Sequence, residues 1–367
     1  MAVRKIVIVD INQFFGGGQV YGLQVAPMLT RDFEVTVICV NKRFADELKR
    51  LDIHVVDYSG LLSWGRIFHQ LLITAVCVWL RLIGQADLVW LNGIPEIVVT
   101  PFCRVLGCRV VVTRHLTLDI EVLSRLKRTL RVIAEIAFRY GAPFANKVIC
   151  VSGAVRDSMA TILPAEKLEV IHNWVSELPK QVKVGKQESE SCKLLFVGRL
   201  EPHKGPFLII EAMKLLAADG EAGRVTLTAV GQGRARDTLE SAARGLDVQF
   251  MGFQEEPARF YSKADVFVNP TKGPEGLPLV TLDAMSYGLP CILSDLPVHV
   301  EVSEGGCSAL LFRSGDPADL AEKIKILLRS DALRKEYGDR ARKTIESDYV
   351  LGVAREKYIR LINSLGR

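Results

Sequence analysis

The sequence predicts an α/β protein made of two doubly wound halves, each a parallel sheet covered by helices, that face a shared cleft. The chain has 367 residues, more than one ordinary hydrophobic core accommodates. Short apolar stretches bounded by turns alternate with helical patterns, which is typical of a parallel sheet covered on both faces. A polar stretch over 176–191 interrupts this alternation and predicts an inter-domain linker.

The first half alternates strand-like and helix-like patterns from its start. A glycine-rich turn and a helical stretch follow the first strand, which is typical of a βαβ unit. The apolar stretch 71–83 is too short to span a bilayer and contains Arg81, so it favours a buried helix over one that dips into a membrane. The strand candidates are KIVIVD (5–10), FEVTVICV (33–40), ADLVWLNG (86–93), CRVVVTRH (108–115), KVICVSG (147–153) and KLEVIHN (167–173).

The same alternation restarts after the linker. Two amphipathic helices, DPADLAEKIKILLRS and DALRKEYGDRARKTIES, are predicted near the end of the chain. Ligands of doubly wound sheets bind at the carboxyl ends of the strands, so candidate site residues are expected in the motifs that follow strands. The strand candidates are KLLFVGR (193–199), RVTLTAVG (224–231), VQFMG (248–252), ADVFVNP (264–270) and PCILSD (290–295).

Composition and charge exclude several classes of protein. The eight cysteines are scattered without a CxxC or Cys/His cluster, which predicts reduced thiols and no zinc site. Residues 1–180 hold 21 basic and 16 acidic side chains, and the remainder holds 26 of each. This modest excess suits a membrane surface or an anionic acceptor and is too small to indicate nucleic acid. The start of the chain shows no signal-peptide pattern, which favours a cytoplasmic location.

The motif FVGRLEPHKG (196–205) places two cations after a predicted strand. Gly198 allows the backbone to turn, and Arg199 and Lys204 flank the short loop that ends at Gly205. Fixed cations at this place would stabilise a departing diphosphate, because Arg offers a fork of donors and Lys a point charge. A surface loop with two solvated bases is the alternative.

A second glycine motif, TAVGQGRARDTLE (228–240), joins a strand to a helix. The N–H groups after Gly231 and Gly233 would lie at a helix start, where a phosphate is favoured. The dinucleotide spacing GxGxxG fails because position 236 is Arg. Taken alone, the motif favours turn geometry over a phosphate site.

The motif PEGLPLVTLD (274–283) combines two acids with a Gly-Leu-Pro turn. Pro278 suits the first turn of a helix, so Glu275 and Gly276 precede the helix N-terminus, where N–H groups favour an anion. Glu275 is suited to accept hydrogen bonds from sugar hydroxyls, and Asp283, inside the helix, from a diol such as a ribose. Each acid alone would be read as a capping or solvated residue, but together they favour a site.

These motifs, with HVEVSEGGCSALLF (299–312), resemble the C-terminal half of the retaining family-4 glycosyltransferases of the GT-B fold. The similarity covers roughly 193–345, and ICVSGAVRDSM and EVIHNWVS (149–176) match the end of that family's N-terminal domain. The resemblance implies a GT-B protein with an acceptor-binding Rossmann-like domain over 1–178 and a donor-binding one over 192–345. It also implies that 346–367 forms a helix packing back on the first domain.

The resemblance further implies sugar transfer from a UDP- or GDP-linked donor with retention of configuration, without a metal or other cofactor. Arg199 and Lys204 would stabilise the leaving diphosphate, and Glu275 would contact the donor sugar. Asp283, where the family more often has Glu, would contact the ribose. The remaining residues expected to bind the donor are Gly198, Gly231, Gly233, Gly276, Leu277, Pro278 and Leu279.

The N-terminal half is more divergent from the family. FFGGGQVYG (14–22) matches its glycine turn near the phosphates, which implicates Gly17 and Gly18, although a flexible turn is the alternative. His115, after a strand, resembles the family's histidine that faces the reacting carbon, and an ordinary polar role is the alternative. Asn173 is read as a hinge or cleft residue because Trp174 replaces the family's usual Gly.

The acceptor is expected to be a hydroxyl of a glycan or glycolipid. EVLSRLKRTLRVIAEIAFRY (121–140) has an apolar helical stripe with basic side chains beside it, which predicts either contact with anionic lipid at the inner membrane surface or a helix packed on the sheet. Two other functions remain open on this fold, namely a nucleotide-sugar epimerase or phosphorylase and a non-catalytic subunit that binds a sugar nucleotide.

Overall fold

The computed structural model describes residues 3–12, 15–60, 66–93, 100–105, 107–117, 141–180 and 191–366, with the backbone alone at 66–71 and 73. The chain divides into two compact units. The first comprises Met1–Asn173, Pro274–Leu277 and Gly352–Arg367, and the second comprises Trp174–Gly273 and Pro278–Leu351. Both units are α/β, so the predicted pair of doubly wound halves is confirmed.

The first unit is built on a seven-stranded parallel sheet. Its strand order is β3-β2-β1-β4-β5-β6-β7, so the connection reverses direction between β1 and β4. Ligands of doubly wound sheets bind at such a reversal, outside the carboxyl ends of the strands. The strands are β1 (Lys5–Asp10), β2 (Glu34–Cys39), β3 (His54–Asp57), β4 (Leu88–Leu91), β5 (Arg109–Arg114), β6 (Lys147–Cys150) and β7 (Leu168–Val170).

Helices cover this sheet, and polar caps mark where two of them begin. Asn41 precedes α2 and accepts from the N–H of Phe44, and Ser152 precedes α5 and accepts from the N–H of Val155. Both caps satisfy N–H groups that have no partner within the helix. The described helices before the linker are α1 (Gly17–Leu29), α2 (Lys42–Arg50), α3 (Arg66–Leu82), α4 (Thr100–Val105) and α5 (Gly153–Met159).

The second unit is built on a six-stranded parallel sheet. Its strand order, β10-β9-β8-β11-β12-β13, reverses direction between β8 and β11. Its core packs Leu194, Phe196 and Val268 of the sheet against apolar residues of the flanking helices. The strands are β8 (Cys192–Val197), β9 (Val225–Val230), β10 (Val248–Gly252), β11 (Val266–Asn269), β12 (Cys291–Ser294) and β13 (Leu310–Phe312).

Seven helices of the second unit and one terminal helix complete the described elements. Asp316 and Ser330 cap two of them, each accepting a hydrogen bond from the first turn that follows. The helices are α6 (Pro206–Leu216), α7 (Arg236–Ala242), α8 (Ala258–Tyr261), α9 (Leu279–Ser286), α10 (Pro297–Val302), α11 (Pro317–Leu328), α12 (Asp331–Asp348) and α13 (Leu351–Leu365).

The terminal helix α13 packs within the first unit through a buried tyrosine. The hydroxyl of Tyr358 lies 2.6 Å from that of Tyr21 on α1, and its ring lies 5.3 Å from that of Trp90 on β4. The hydroxyl of Tyr21 also lies 3.3 Å from Thr113 Oγ1, to which Trp90 Nε1 donates at 2.7 Å. Aromatic surface and satisfied polar groups together hold α13 in place.

All eleven predicted strands are present, but two edge strands were not predicted. β3 and β13 lie at sheet edges and have four and three residues. The prediction of a buried helix over 71–83 is wrong in part. Cys77 is buried, but the exposed fractions of Trp79 and Leu82 are 58% and 76%. Only one face of α3 is covered by described residues.

Two predictions fall partly or wholly beyond the described residues. The basic amphipathic segment 121–140 lies outside them, and so do residues 181–190 of the predicted linker. Among the helices that the structure does describe, none combines the length and apolar character needed to cross a bilayer.

Candidate active site

A buried carboxylate lies at the carboxyl end of β1, beside the reversal point of the first sheet. Gln19 Nε2 donates to both oxygens of Asp10, at 2.9 and 3.1 Å, and the N–H of Asn12 donates to Oδ1 at 2.9 Å. Burial raises the pKa of Asp10, and hydrogen bonds from Asn12, Asn92 and Gln19 oppose that rise. Asp10 is thus an acceptor surrounded by donors, which fixes the neighbouring side chains.

The glycine turn of the first unit leads into α1 and is tied to this carboxylate. Gly16 caps the helix, and its N–H donates to Gln19 Oε1 at 2.9 Å. A Cβ on Gly17 would meet no described atom within 4 Å, whereas one on Gly18 would lie 3.8 Å from the ring of His115. Gly17 therefore borders open space at the start of α1, where the positive end of the helix dipole favours an anion.

His115 follows β5 and is joined to Asp10 through Asn92, which follows β4. His115 Nε2 lies 2.7 Å from Asn92 Oδ1, and Asn92 Nδ2 donates to Asp10 Oδ2 at 2.8 Å and to the Gly18 carbonyl at 3.0 Å. The ring of Tyr21 contacts that of His115 edge-on, with centroids 4.8 Å apart. Burial, with a smaller contribution from the charge of Arg114, lowers the pKa of His115 to about 4.

The segment Pro274–Leu277, which belongs to the first unit, packs closely on the backbone of His115. A Cβ on Gly276 would lie 1.8 Å from the His115 carbonyl oxygen, so only glycine fits there. Ser152 Oγ donates to the Gly276 carbonyl at 2.7 Å, and Asn173 Nδ2 donates to that of Leu277 at 2.8 Å. These two bonds fix the backbone on either side of the tight contact. Glu275 is buried beside them.

In the second unit, the loops after β8 and β9 pack backbone against backbone. A Cβ on Gly231 would lie 1.9 Å from the Gly198 carbonyl oxygen, and one on Gly233 would lie 2.3 Å from that of Leu200. The N–H of Leu200 donates to the Gln232 carbonyl at 3.0 Å. This close approach of the two loops explains why Gly198, Gly231 and Gly233 are glycines, independently of any bound ligand.

Arg199 and Lys204 lie on the loop that follows β8, at the reversal point of the second sheet. Arg199 is exposed, and Nη2 lies 3.4 Å from His203 Nε2. No carboxylate of a described residue forms an ion pair with Arg199. The carbonyl of His203 accepts from the N–H of Lys272 at 2.8 Å, which ties this turn to the loop after β11. The turn is thereby held between the two strands that flank the reversal point.

Gly205 ends the turn in a left-handed conformation, with φ of 72°. A Cβ there would lie 2.0 Å from the Pro270 carbonyl oxygen. The backbone after Lys204 therefore lies directly against the start of the loop after β11. This contact and the hydrogen bond from Lys272 fix the direction in which the basic turn leaves β8.

Asp283 lies on α9, the helix that begins at Leu279 after Pro278 as its N-cap. Burial raises the pKa of Asp283 from 3.8 to about 7. The charge of Asp283 adds to burial in raising the pKa of Tyr287. An ionised Asp283 is therefore disfavoured in the unliganded protein, and hydrogen-bond donors such as ribose hydroxyls would restore it.

We expect Asp283→Asn to stabilise the unliganded protein at high pH. The folded pKa lies above the unfolded one, so the acid contributes stability that is full below about pH 4 and lost above about pH 7. Asn stays neutral throughout. The variant should therefore match the wild type in strong acid and exceed it increasingly up to about pH 7. Thermal unfolding across this range measures the difference.

Asp247→Asn, which changes an exposed residue, is the control for this prediction. Its melting temperature should not rise above that of the wild type as the pH increases. A wild type and an Asp283→Asn variant whose melting temperatures run parallel from pH 4 to pH 8 would contradict the raised pKa of Asp283. Weakened nucleotide binding by the same variant would support the predicted ribose contact separately.

The structure brings together some predicted residues and adds others. Within the first unit it groups Gly17, Gly18, His115 and Gly276, and within the second it groups Gly198, Arg199, Lys204, Gly231 and Gly233. Sequence reasoning missed Asp10, Gln19 and Asn92. Asp10 ends the apolar strand β1 and Asn92 follows β4, so both share with His115 a place at the carboxyl end of a strand. In the described parts of the chain, no cluster of three or more His, Cys, Asp or Glu side chains is suited to hold a metal ion.

Two family models match the chain, one in each of its halves. The model described as "Glycosyl transferases group 1" matches residues 191–330, and the one described as "Glycosyltransferase Family 4" matches residues 15–177. The chain belongs to the family-4 glycosyltransferases. The matches fall on the two sheets described above and confirm the family that the motifs predicted.

Curated relatives share part of this sequence. A phosphatidyl-myo-inositol mannosyltransferase of Mycobacterium leprae is 34% identical over 149 residues, which are 39% of this chain and 39% of the relative. The amylovoran biosynthesis glycosyltransferase AmsK of Erwinia amylovora is 28% identical over 213 residues, 55% of this chain and 52% of the relative. The chain thus matches about half or less of the length of these relatives.

Solved structures share the fold over nearly the whole chain. HepE of Anabaena in complex with UDP superposes with a TM-score of 0.81 at 20% identity, covering 98% of this chain and 100% of that one. A glycosyltransferase of Rickettsia africae superposes with a TM-score of 0.75 at 15% identity, covering 99% and 98%. The predicted GT-B fold is confirmed.

Proposed function

We propose that this protein transfers a sugar from a nucleotide diphosphate sugar to a hydroxyl of an acceptor. The observation that carries the proposal is the basic turn after β8. In a family-4 chain, Arg199 lies exposed without a carboxylate partner among the described residues, next to the turn that holds Lys204. Two cations at a reversal point of a doubly wound sheet suit a diphosphate. The HepE structures that share the fold contain UDP, UDP with glucose, or UDP-glucose.

The chemical roles follow from the charge and position of each side chain. As the bond from the sugar's C1 to the diphosphate breaks, negative charge grows on the leaving oxygens, and Arg199 and Lys204 stabilise it. Glu275 accepts hydrogen bonds from sugar hydroxyls, and Asp283 accepts them from the ribose. The N–H groups of the segment Gly276–Leu279, which leads into α9, meet the sugar and phosphates.

We propose a retaining transfer that requires no divalent cation. The acceptor hydroxyl attacks on the face that the diphosphate leaves, so configuration is retained, and a leaving phosphate oxygen takes its proton. No divalent cation is required because Arg199 and Lys204 carry the positive charge. The sugar is a hexose on UDP or GDP, and the acceptor is a glycan or a lipid-linked glycan. Contact of segment 121–140 with the inner membrane surface would suit the second acceptor.

Thermal unfolding with a panel of sugar nucleotides tests this function. A ligand that binds only the folded state at about 100 times its Kd adds about 2.7 kcal/mol of stability. We expect a UDP- or GDP-sugar to raise the melting temperature of the wild type and to do so less in Arg199→Ala. The same donor should then release its nucleotide diphosphate when an acceptor hydroxyl is supplied.

Each outcome of this experiment decides between the open functions. A donor that stabilises the protein but is never consumed, with any glycan or glycolipid acceptor, would favour a non-catalytic binding subunit. A donor that returns as its epimer would indicate an epimerase. A panel without any stabilising sugar nucleotide would refute the proposal outright.

A further inference from the structure

The hydrogen bonds that join the glycine turn to His115 all run in one direction. The N–H of Gly16 must donate to the oxygen of the Gln19 side chain, which leaves Nε2 of Gln19 facing Asp10. Asp10 accepts at both oxygens from Gln19, and from Asn12 and Asn92 besides. None of these hydrogen bonds can reverse its direction without placing two acceptor atoms against each other.

This direction settles how the amide of Asn92 is oriented. One end of the amide lies 2.8 Å from a carboxylate oxygen of Asp10 and 3.0 Å from the carbonyl oxygen of Gly18. Both are acceptors, so that end must be the NH₂ group. The reversed amide would place its oxygen against two other oxygens and leave the buried carboxylate without that donor, which is costly in a buried site.

The orientation of Asn92 in turn selects the tautomer of His115. The end of the amide facing the ring is the carbonyl oxygen, 2.7 Å from Nε2, so Nε2 carries the proton. A neutral ring then has an unprotonated Nδ1. That nitrogen has no hydrogen-bond partner among the residues that the structure describes, and the side chain is only partly exposed.

The charges around the ring favour its neutral form. Burial disfavours the imidazolium, and the positive charge of Arg114, the preceding residue, acts in the same sense. Tyr21 contacts the ring with its edge, and burial keeps its hydroxyl neutral by raising its pKa. Asp10 is the carboxyl group linked to the ring, through the amide of Asn92. Gly18 and Gly276 add no charge.

We infer that Asn92 is a positioning residue that holds His115 as the neutral Nε2–H tautomer, so that Nδ1 is presented as a hydrogen-bond acceptor to a hydroxyl of the substrate. Asp10 orients Asn92, and Gln19 orients Asp10. The tautomer follows from the geometry of the first unit alone. The role toward a substrate hydroxyl rests on the proposed function.

Nitrogen NMR of the full chain with labelled histidine tests the tautomer without any substrate. Long-range proton–nitrogen correlations distinguish Nε2–H, Nδ1–H and imidazolium, and His115→Gln assigns the signal among the six histidines. We expect the Nε2–H form of His115 from about pH 6 to about pH 8, since the pKa of this ring is about 4. An Nδ1–H ring or an imidazolium in this range would overturn the inference.

Two variants of Asn92 test the positioning role. Asn92→Leu removes the acceptor, and we expect a mixture of tautomers and a kcat about tenfold to a hundredfold lower, with little change in KM for the donor. Asn92→Asp places a second carboxylate beside Asp10 and next to the ring, so His115 should titrate at a higher pH than in the wild type. The titration of His115 can be followed by NMR even if the variant has lost its turnover.

Asn146→Leu is the matched control. It removes one hydrogen bond elsewhere in the same unit, the one that the N–H of Val110 donates to Asn146 Oδ1. It should leave the His115 signal and kcat unchanged. If Asn92→Leu alters the tautomer but not turnover, the positioning role is wrong. If no donor is turned over by the wild type, the proposed function fails, while the Nε2–H signal still decides the tautomer.

Discussion

Arg199→Ala and Lys204→Ala are each expected to lower kcat by about two orders of magnitude. Each removes a donor at a developing negative charge, which costs about 3 kcal/mol in the transition state, and each 1.36 kcal/mol is about tenfold in rate. Both residues lie on the turn between β8 and α6, which the loop after β11 holds in place. Initial rates at saturating donor, with product detected directly, measure the effect.

The controls for these variants are two other basic residues of the second unit. Arg244 and Lys214 are exposed and lie away from the turn, so Arg244→Ala and Lys214→Ala should retain wild-type rates. Wild-type turnover in Arg199→Ala or Lys204→Ala would refute the stabilising role of the two cations. Turnover that EDTA abolishes and magnesium restores would show that a metal does the work assigned here to Arg199 and Lys204.

Gly276→Ala is expected to abolish most of the activity while leaving the protein folded. Its Cβ would lie 1.8 Å from the His115 carbonyl oxygen and 2.9 Å from a methyl group of Val151, so the backbone has to move. Bonds from Ser152 and Asn173 hold that backbone on both sides. A displacement of about 1 Å near the reacting groups costs on the order of a hundredfold in rate.

Gly352→Ala is the matched control for this substitution. A Cβ on Gly352 meets no described atom within 4 Å, and the residue lies at the start of α13 with an ordinary backbone conformation. It should keep full activity and equal or slightly increased stability, since Ala is the better helix former. A Gly276→Ala variant with wild-type kcat/KM would show that the backbone can move away from His115 without loss of activity.

The class of fold and the basic turn of the second unit could be predicted from sequence pattern. Apolar runs separated by helical patterns predict parallel strands, because a strand buried on both faces cannot be polar. The motif FVGRLEPHKG placed Arg199 and Lys204 after a strand, and β8 ends at Val197 as that reading requires. The edge strands β3 and β13 were not predicted.

The hydrogen bonds that hold the candidate site of the first unit together could be seen only in the folded structure, because they depend on the order of the strands in its sheet. Asp10, Asn92 and His115 are far apart in the chain, and each looks like an ordinary polar residue after a strand. The strand order makes β4 the neighbour of β1 and β5 the neighbour of β4, so the three strand ends lie side by side.

The reason for this division is physical. Local pattern fixes whether a stretch is a strand, because each stretch must bury its own apolar face. Hydrogen bonds between side chains depend instead on which strands become neighbours, and that depends on the packing of the whole sheet. The sequence therefore specifies the motifs one at a time, whereas the fold decides that Asn92 joins Asp10 to His115.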